Sequence, residues 1–124
     1  MEVRFNVNLI ELKSACRRLV ERLADESETG TDFVVFTATE SILEIRTWTS
    51  SEALPTTITQ SGRALVPRRV FCGLVNALRY CRGKTIQFDI SAGTITLSGR
   101  TQIRHPQISV SDGTMESLTA VDLE

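Results

Sequence analysis

A chain of 124 residues fits a single domain and can bury a core without disulfide or metal staples. A hydrophobic content of 41% and a charged content of 23% are ordinary for a soluble globular protein, and a formal net charge of −1 excludes a bulk polycation. Any nucleic-acid role must therefore come from local segregation of charge.

No apolar run approaches the roughly 20 residues of a membrane span. The N-terminus lacks a basic-then-apolar export pattern, so a cytoplasmic protein is expected. Cys16, Cys72 and Cys81 are odd in number and form no CxxC pair. Cys16 and Cys72 fall near the apolar faces of predicted helices and Cys81 at a helix end, so all three read as buried free thiols in a reducing cytosol.

Residues 2–8 alternate, with Val3, Phe5 and Val7 on one side and Glu2, Arg4 and Asn6 on the other, the pattern of a half-buried strand. Asn8-Leu9-Ile10-Glu11 then has the form of a capping box. A helix is predicted over 9–24, with Leu12, Ala15, Cys16, Leu19, Val20 and Leu23 as its inner stripe. Lys13, Arg17, Arg18 and Arg22 lie off that stripe, mixed with Glu11 and Glu21. Residues 25–30 read as an acidic loop.

Strands are predicted over 32–39 and 42–48, joined by the short connector Thr39-Glu40-Ser41. A weaker strand lies within 50–60, where Pro55 confines it to an edge or to the part after the proline. Trp48 reads as a residue of sheet packing or of a joint rather than a base-stacking platform. Residues 62–66 form a strand and 67–81 a helix, with Pro67 at its first position and Gly83 just beyond its end.

Val70, Phe71, Leu74, Val75 and Leu78 make the inner stripe of that helix, and Arg69, Cys72, Gly73, Asn76, Arg79 and Tyr80 its outer face. Strands over 85–91 and 94–98 flank a turn at Ala92-Gly93, and a last strand over 102–110 breaks near Pro106. Residues 1–110 form the domain. Residues 111–124 are a polar, acidic tail that is loose or docks on something.

The chain is thus two copies of strand–helix–strand–strand–strand, each of about 50–60 residues. The fold class is α+β, an antiparallel sheet with both helices on one face. Charge follows the same division. The span 62–84 carries Arg63, Arg68, Arg69, Arg79, Arg82 and Lys84 with no acid among them, whereas 25–52 holds seven acids against only Arg46. A basic helical face attracts phosphates without reading sequence.

Other chemistry has thin support. His105 is the only histidine, so no Cys/His metal cluster and no histidine-based triad is possible. No Walker or GxGxxG glycine pattern occurs. No enzyme activity, cofactor or metal is expected.

Several stretches resemble one domain of the bacterial DNA sliding clamp, the beta-subunit family of DNA polymerase III. They are Val3-Arg4-Phe5-Asn6-Val7 before a helix, Thr37-Ala38-Thr39-Glu40 leading to Leu43-Glu44-Ile45, and the hairpin from Ile86 to Arg100. Gly62-Arg63-Ala64-Leu65-Val66-Pro67-Arg68-Arg69-Val70-Phe71 is similar to the Gly-x-x-x-Val-Pro-x-x-x-Phe/Leu stretch that opens the second helix of such a domain.

In that family six domains close a ring around duplex DNA, and helix cations line the hole. The resemblance implies that Lys13, Arg17, Arg18 and Arg22 lie on one lining helix, with Arg68, Arg69, Arg79, Arg82 and Lys84 on or beside the other. The family chains three domains in one polypeptide, and this chain has one. The family's polymerase-binding pocket belongs to later domains and does not carry over, and the Phe-Pro segment that usually ends a first clamp domain is missing.

The expectation is a DNA-tethering protein of processivity type that self-assembles, in a ring or a smaller assembly, and binds duplex DNA without sequence preference. The alternative is an interaction module that pairs with a replication clamp or replisome component and modulates it. Against both stands the plain reading of the cations as a solvated helix exterior.

Overall fold

The computed structural model describes residues 1–25, 33–47 and 50–111. The order is β1 (Glu2–Asn8), α1 (Leu9–Asp25), β2 (Phe33–Thr39), β3 (Ile42–Arg46), β4 (Ser51–Gln60), β5 (Gly62–Pro67), α2 (Arg68–Leu78), β6 (Thr85–Ser91), β7 (Thr94–Leu97), β8 (Thr101–Arg104) and β9 (Ser109–Ser111). The twofold strand–helix–strand–strand–strand order expected from the sequence is present. Trp48, the acidic loop beyond residue 25 and the tail beyond residue 111 lie outside the described residues.

All described strands join one antiparallel sheet of order β8-β7-β6-β1-β4-β3-β2-β5-β9. Each half lends its first strand to the other: β1 pairs with β6, and β5 pairs with β2. Neither half therefore has a complete sheet of its own.

β4 joins the two sides of the sheet, β8-β7-β6-β1 and β3-β2-β5-β9. Ser51 to Pro55 pair with β3, and Thr56, Thr57, Ile58 and Gln60 pair with β1. The proline, which has no N–H for a ladder, stands at the changeover. The strand is thus continuous through Pro55, where an edge strand or a strand starting after Pro55 was expected.

In the second half the counterpart of β4 is broken. β8 pairs with β7, the chain turns through His105 to Ile108, and β9 pairs with β5. The break expected near Pro106 is there. His105 sits in that turn rather than in a strand, half-buried, and its Nδ1 accepts a 3.1 Å hydrogen bond from the Gln107 N–H.

One face of every long strand is apolar and buried, and both helices cover that face. Four phenylalanines run through the core. Phe5 and Phe88 stack at 5.0 Å, Phe88 lies 6.5 Å from Phe36, and Phe36 meets Phe71 of α2 edge-on at 6.0 Å. Such ring pairs add to the burial of their area. The opposite face is polar: Arg4 pairs with Asp89 at 2.7 Å and with Glu2 at 2.6 Å.

Helix α1 begins as predicted, with the Glu11 N–H donating 2.9 Å to Asn8 Oδ1. Its inner stripe is buried except for the half-buried Val20. Helix α2 departs from expectation at both ends. Pro67 is the N-cap rather than the first helical residue, because it still pairs with Phe33 in the sheet at ψ 142°.

Regular helix stops at Leu78, not at residue 81. Arg79, Tyr80 and Cys81 bond back three residues, the tighter winding of a helix end. Gly83, at φ +113°, lies further on, in the link to β6. No helix among the described residues is long and apolar enough to cross a membrane.

Candidate nucleic-acid interface

The two helices run antiparallel on the sheet, since the start of each touches the end of the other. Lys13 Nζ donates 2.9 Å to the Cys81 carbonyl, and the Arg68 guanidinium donates to the Leu23 carbonyl. Between them lies an open groove of about 420 Å³ lined by Lys13 and Arg17 of α1 and by Val75 and Arg79 of α2. The spacing explains the convergence. Lys13 and Arg17 stand one turn apart on a helix, as do Val75 and Arg79, so each pair shares a side. Val75, read from sequence as an inner-stripe residue, is half-buried and floors the groove.

The nine cations singled out from the sequence fall into three groups. Arg17 and Arg79 are exposed at the groove, and Lys13 borders it while anchoring the end of α2. Arg82 and Lys84 are exposed in the link just after α2, at the same end. That link is fastened to α1, because the Leu9 N–H donates 2.9 Å to the Lys84 carbonyl.

Arg18, Arg22 and Arg68 serve as braces. Arg18 donates to both carboxylate oxygens of Glu52 on β4, at 2.7 and 3.2 Å, and Arg22 reaches the same group at 3.4 Å. The hydrogen bond from Arg18, then the charges of both arginines, hold the Glu52 carboxyl below the usual carboxylate range. No local signal marks Glu52 as their partner, because it lies 34 residues from Arg18.

Arg69 stands apart from the groove end, exposed in the first turn of α2, where no acid is present. A cation there opposes the helix dipole. The sequence predicted the outer face of α2 correctly: Arg69, Cys72, Gly73, Asn76, Arg79 and Tyr80 are all exposed. Cys72 is therefore not the buried thiol that composition suggested. It lies on the solvent side of the helix, Cys81 is half-buried, and only Cys16 is fully enclosed.

Tyr80 is 79% exposed, and so is Ile10 at 72%, which the sequence reading did not single out. No protein-family model matches the chain, and no curated protein matches it.

Proposed function

We propose that this chain is a single-domain, sliding-clamp-like protein that self-assembles and tethers duplex DNA through its helix layer without reading sequence. The observation that carries the reading is the groove, where cations from both helices meet on the solvent side with no acid among the described residues that line it. Long, solvated side chains hold phosphates at short residence and without base contacts, which suits a protein that must slide.

The element order, similar to that of a clamp domain, adds support. So do β8 and β9, each paired on one side only among the described residues, which offers hydrogen-bonding edges to a second copy. No catalytic step, metal or cofactor enters this reading.

The test is a salt titration of duplex binding. Changing Arg79, Arg82 and Lys84 together to Gln is expected to weaken binding and to lower the salt slope by roughly 2 to 3. Changing Arg18 and Arg22 to Gln is expected to alter the slope far less, because Glu52 already occupies them. An unchanged slope in the triple variant removes the helical site.

Solution mass with and without duplex separates the two readings of assembly. A hexamer, or a smaller species that becomes hexameric on DNA, supports a ring. A monomer or dimer indifferent to DNA turns the reading to an interaction module that works on another clamp through its sheet edge.

A further inference from the structure

The open end of the basic groove carries more than charge. Two hydrogen bonds to its carbonyls hold the link after α2 along the start of α1: one from Lys13 Nζ to the Cys81 carbonyl, and one from the Leu9 N–H to the Lys84 carbonyl. Ile10 lies between those two anchor points, and Tyr80 is the residue where the tethered link begins. Tyr80 and Ile10 are the two most exposed large apolar side chains among the described residues, and both lie at this end of the helix layer, Tyr80 next in the chain to Arg79. Single exposed apolar residues are common and need no account, but Tyr80 follows Arg79 of the groove and precedes Arg82 by two residues, so an exposed ring and cations make a mixed patch there.

We infer that this patch holds an unpaired nucleobase stacked on Tyr80, so that the preferred ligand is a duplex continued by a single strand. The inference rests on the DNA reading above and narrows its ligand. Phosphates fit the cations of either form of DNA, whereas an exposed ring asks for a free π-face. Bases inside a duplex already cover each other, and only an unpaired base has a face to give. The charged residues nearest Tyr80 in the chain, Arg79, Arg82 and Lys84, are all positive, so the backbone on either side of that base meets Arg79 and Arg82. Two apolar side chains are too few for burial in a lipid surface, which takes the whole apolar face of a helix.

The experiment compares a blunt duplex with the same duplex bearing a single-stranded tail that carries 2-aminopurine. Wild-type protein is expected to bind the tailed form more tightly and to quench the 2-aminopurine. Tyr80→Ala is expected to lower affinity for tailed DNA by on the order of tenfold, the size of one lost base stack, and to abolish the quench. Blunt-duplex affinity falls by less than about twofold, and Tyr80→Phe keeps both effects.

The inference is overturned if Tyr80→Ala leaves the tailed-to-blunt ratio and the quench unchanged, or if wild type binds both DNAs equally. In either case duplex tethering still stands. Failure of wild type to bind either DNA overturns the reading beneath it. Binding to phosphatidylserine vesicles that Tyr80→Ala abolishes, without any tail preference, assigns the patch to a lipid surface and overturns the inference as well.

Discussion

The ammonium of Lys13, near the start of α1, donates to the carbonyl of Cys81 just past the end of α2. Arg68, the first residue of α2, does the same for the Leu23 carbonyl in the last turns of α1. Each helix thus supplies a cation to the negative end of the other, the favourable pole for positive charge. Lys13→Met keeps the apolar stem and removes the donor. It is expected to cost about 1 kcal/mol, a value reduced for partial exposure, and to lower Tm by about 4 °C. Thermal unfolding followed by circular dichroism checks it; an unchanged Tm would mean that the bond has no net worth.

Glu52 makes stability depend on pH in a set direction. Its carboxyl is held below the ordinary range in the folded protein, first by the hydrogen bond from Arg18 and then by the charges of Arg18 and Arg22. The unfolded chain has the ordinary value of about 4.3. The contribution is therefore fully present above that value and is lost as pH falls through the lower, folded one. Urea midpoints of wild type and Glu52→Gln are expected to differ at neutral pH and to converge on acidification. A gap that stays constant down to pH 3 would exclude this linkage.

Two glycines answer to opposite constraints. A Cβ on Gly62 would meet the Ser111 carbonyl and Val3 Cγ2, each at 2.8 Å, whereas one on Gly73 meets nothing within 4 Å. Gly62→Ala is expected to destabilise by about 1 to 3 kcal/mol through overpacking. Gly73→Ala is expected to stabilise by about 0.5 to 1 kcal/mol, because it sits inside a helix with its face to solvent. Chemical denaturation of both variants tests the pair, and a stabilised Gly62→Ala would contradict the close approach of β5 to β1.

The three thiols are graded by reach. Burial, with a smaller push from the Glu52 charge, raises the Cys16 thiol to about 12. Cys72 is exposed and Cys81 half-buried. At pH 8, a disulfide reagent is expected to modify Cys72 quickly, Cys81 more slowly and Cys16 only after unfolding. Cys72→Ser is expected to remove the fast phase; if the fast phase persists, the outer face of α2 is misassigned.

Much of the fold was legible because periodicity carried it. Val3, Phe5 and Val7 alternate at the strand period, and Leu12, Cys16, Leu19 and Leu23 recur at the helical one; both sets are buried. The ends of α2 were less legible, since Pro67 serves a strand and a helix at once and only its sheet partner decides which.

The site was half legible. Composition exposed the run of cations but not their division into groove and brace, because that division depends on Glu52, which comes from a distant strand. Residue spacing placed Cys72 near both the apolar stripe and the outer face, and only the packed helix pair resolved which side it takes.

The two crossings between the sides of the sheet differ in what they allow the chain to change. β4 carries the inside–outside phase of its side chains unbroken past Pro55: Leu54 and Thr56 both face inward, on either side of the change of partner. One residue added or lost there inverts every side chain on one side of the seam, since the phase of a strand has period two. The matching crossing from β8 to β9 passes through the His105–Ile108 turn, which separates the two phases. Length is therefore frozen at the first crossing, whereas at the second a turn, tied to Gly93 at both of its ends, absorbs a change of phase that the continuous strand does not.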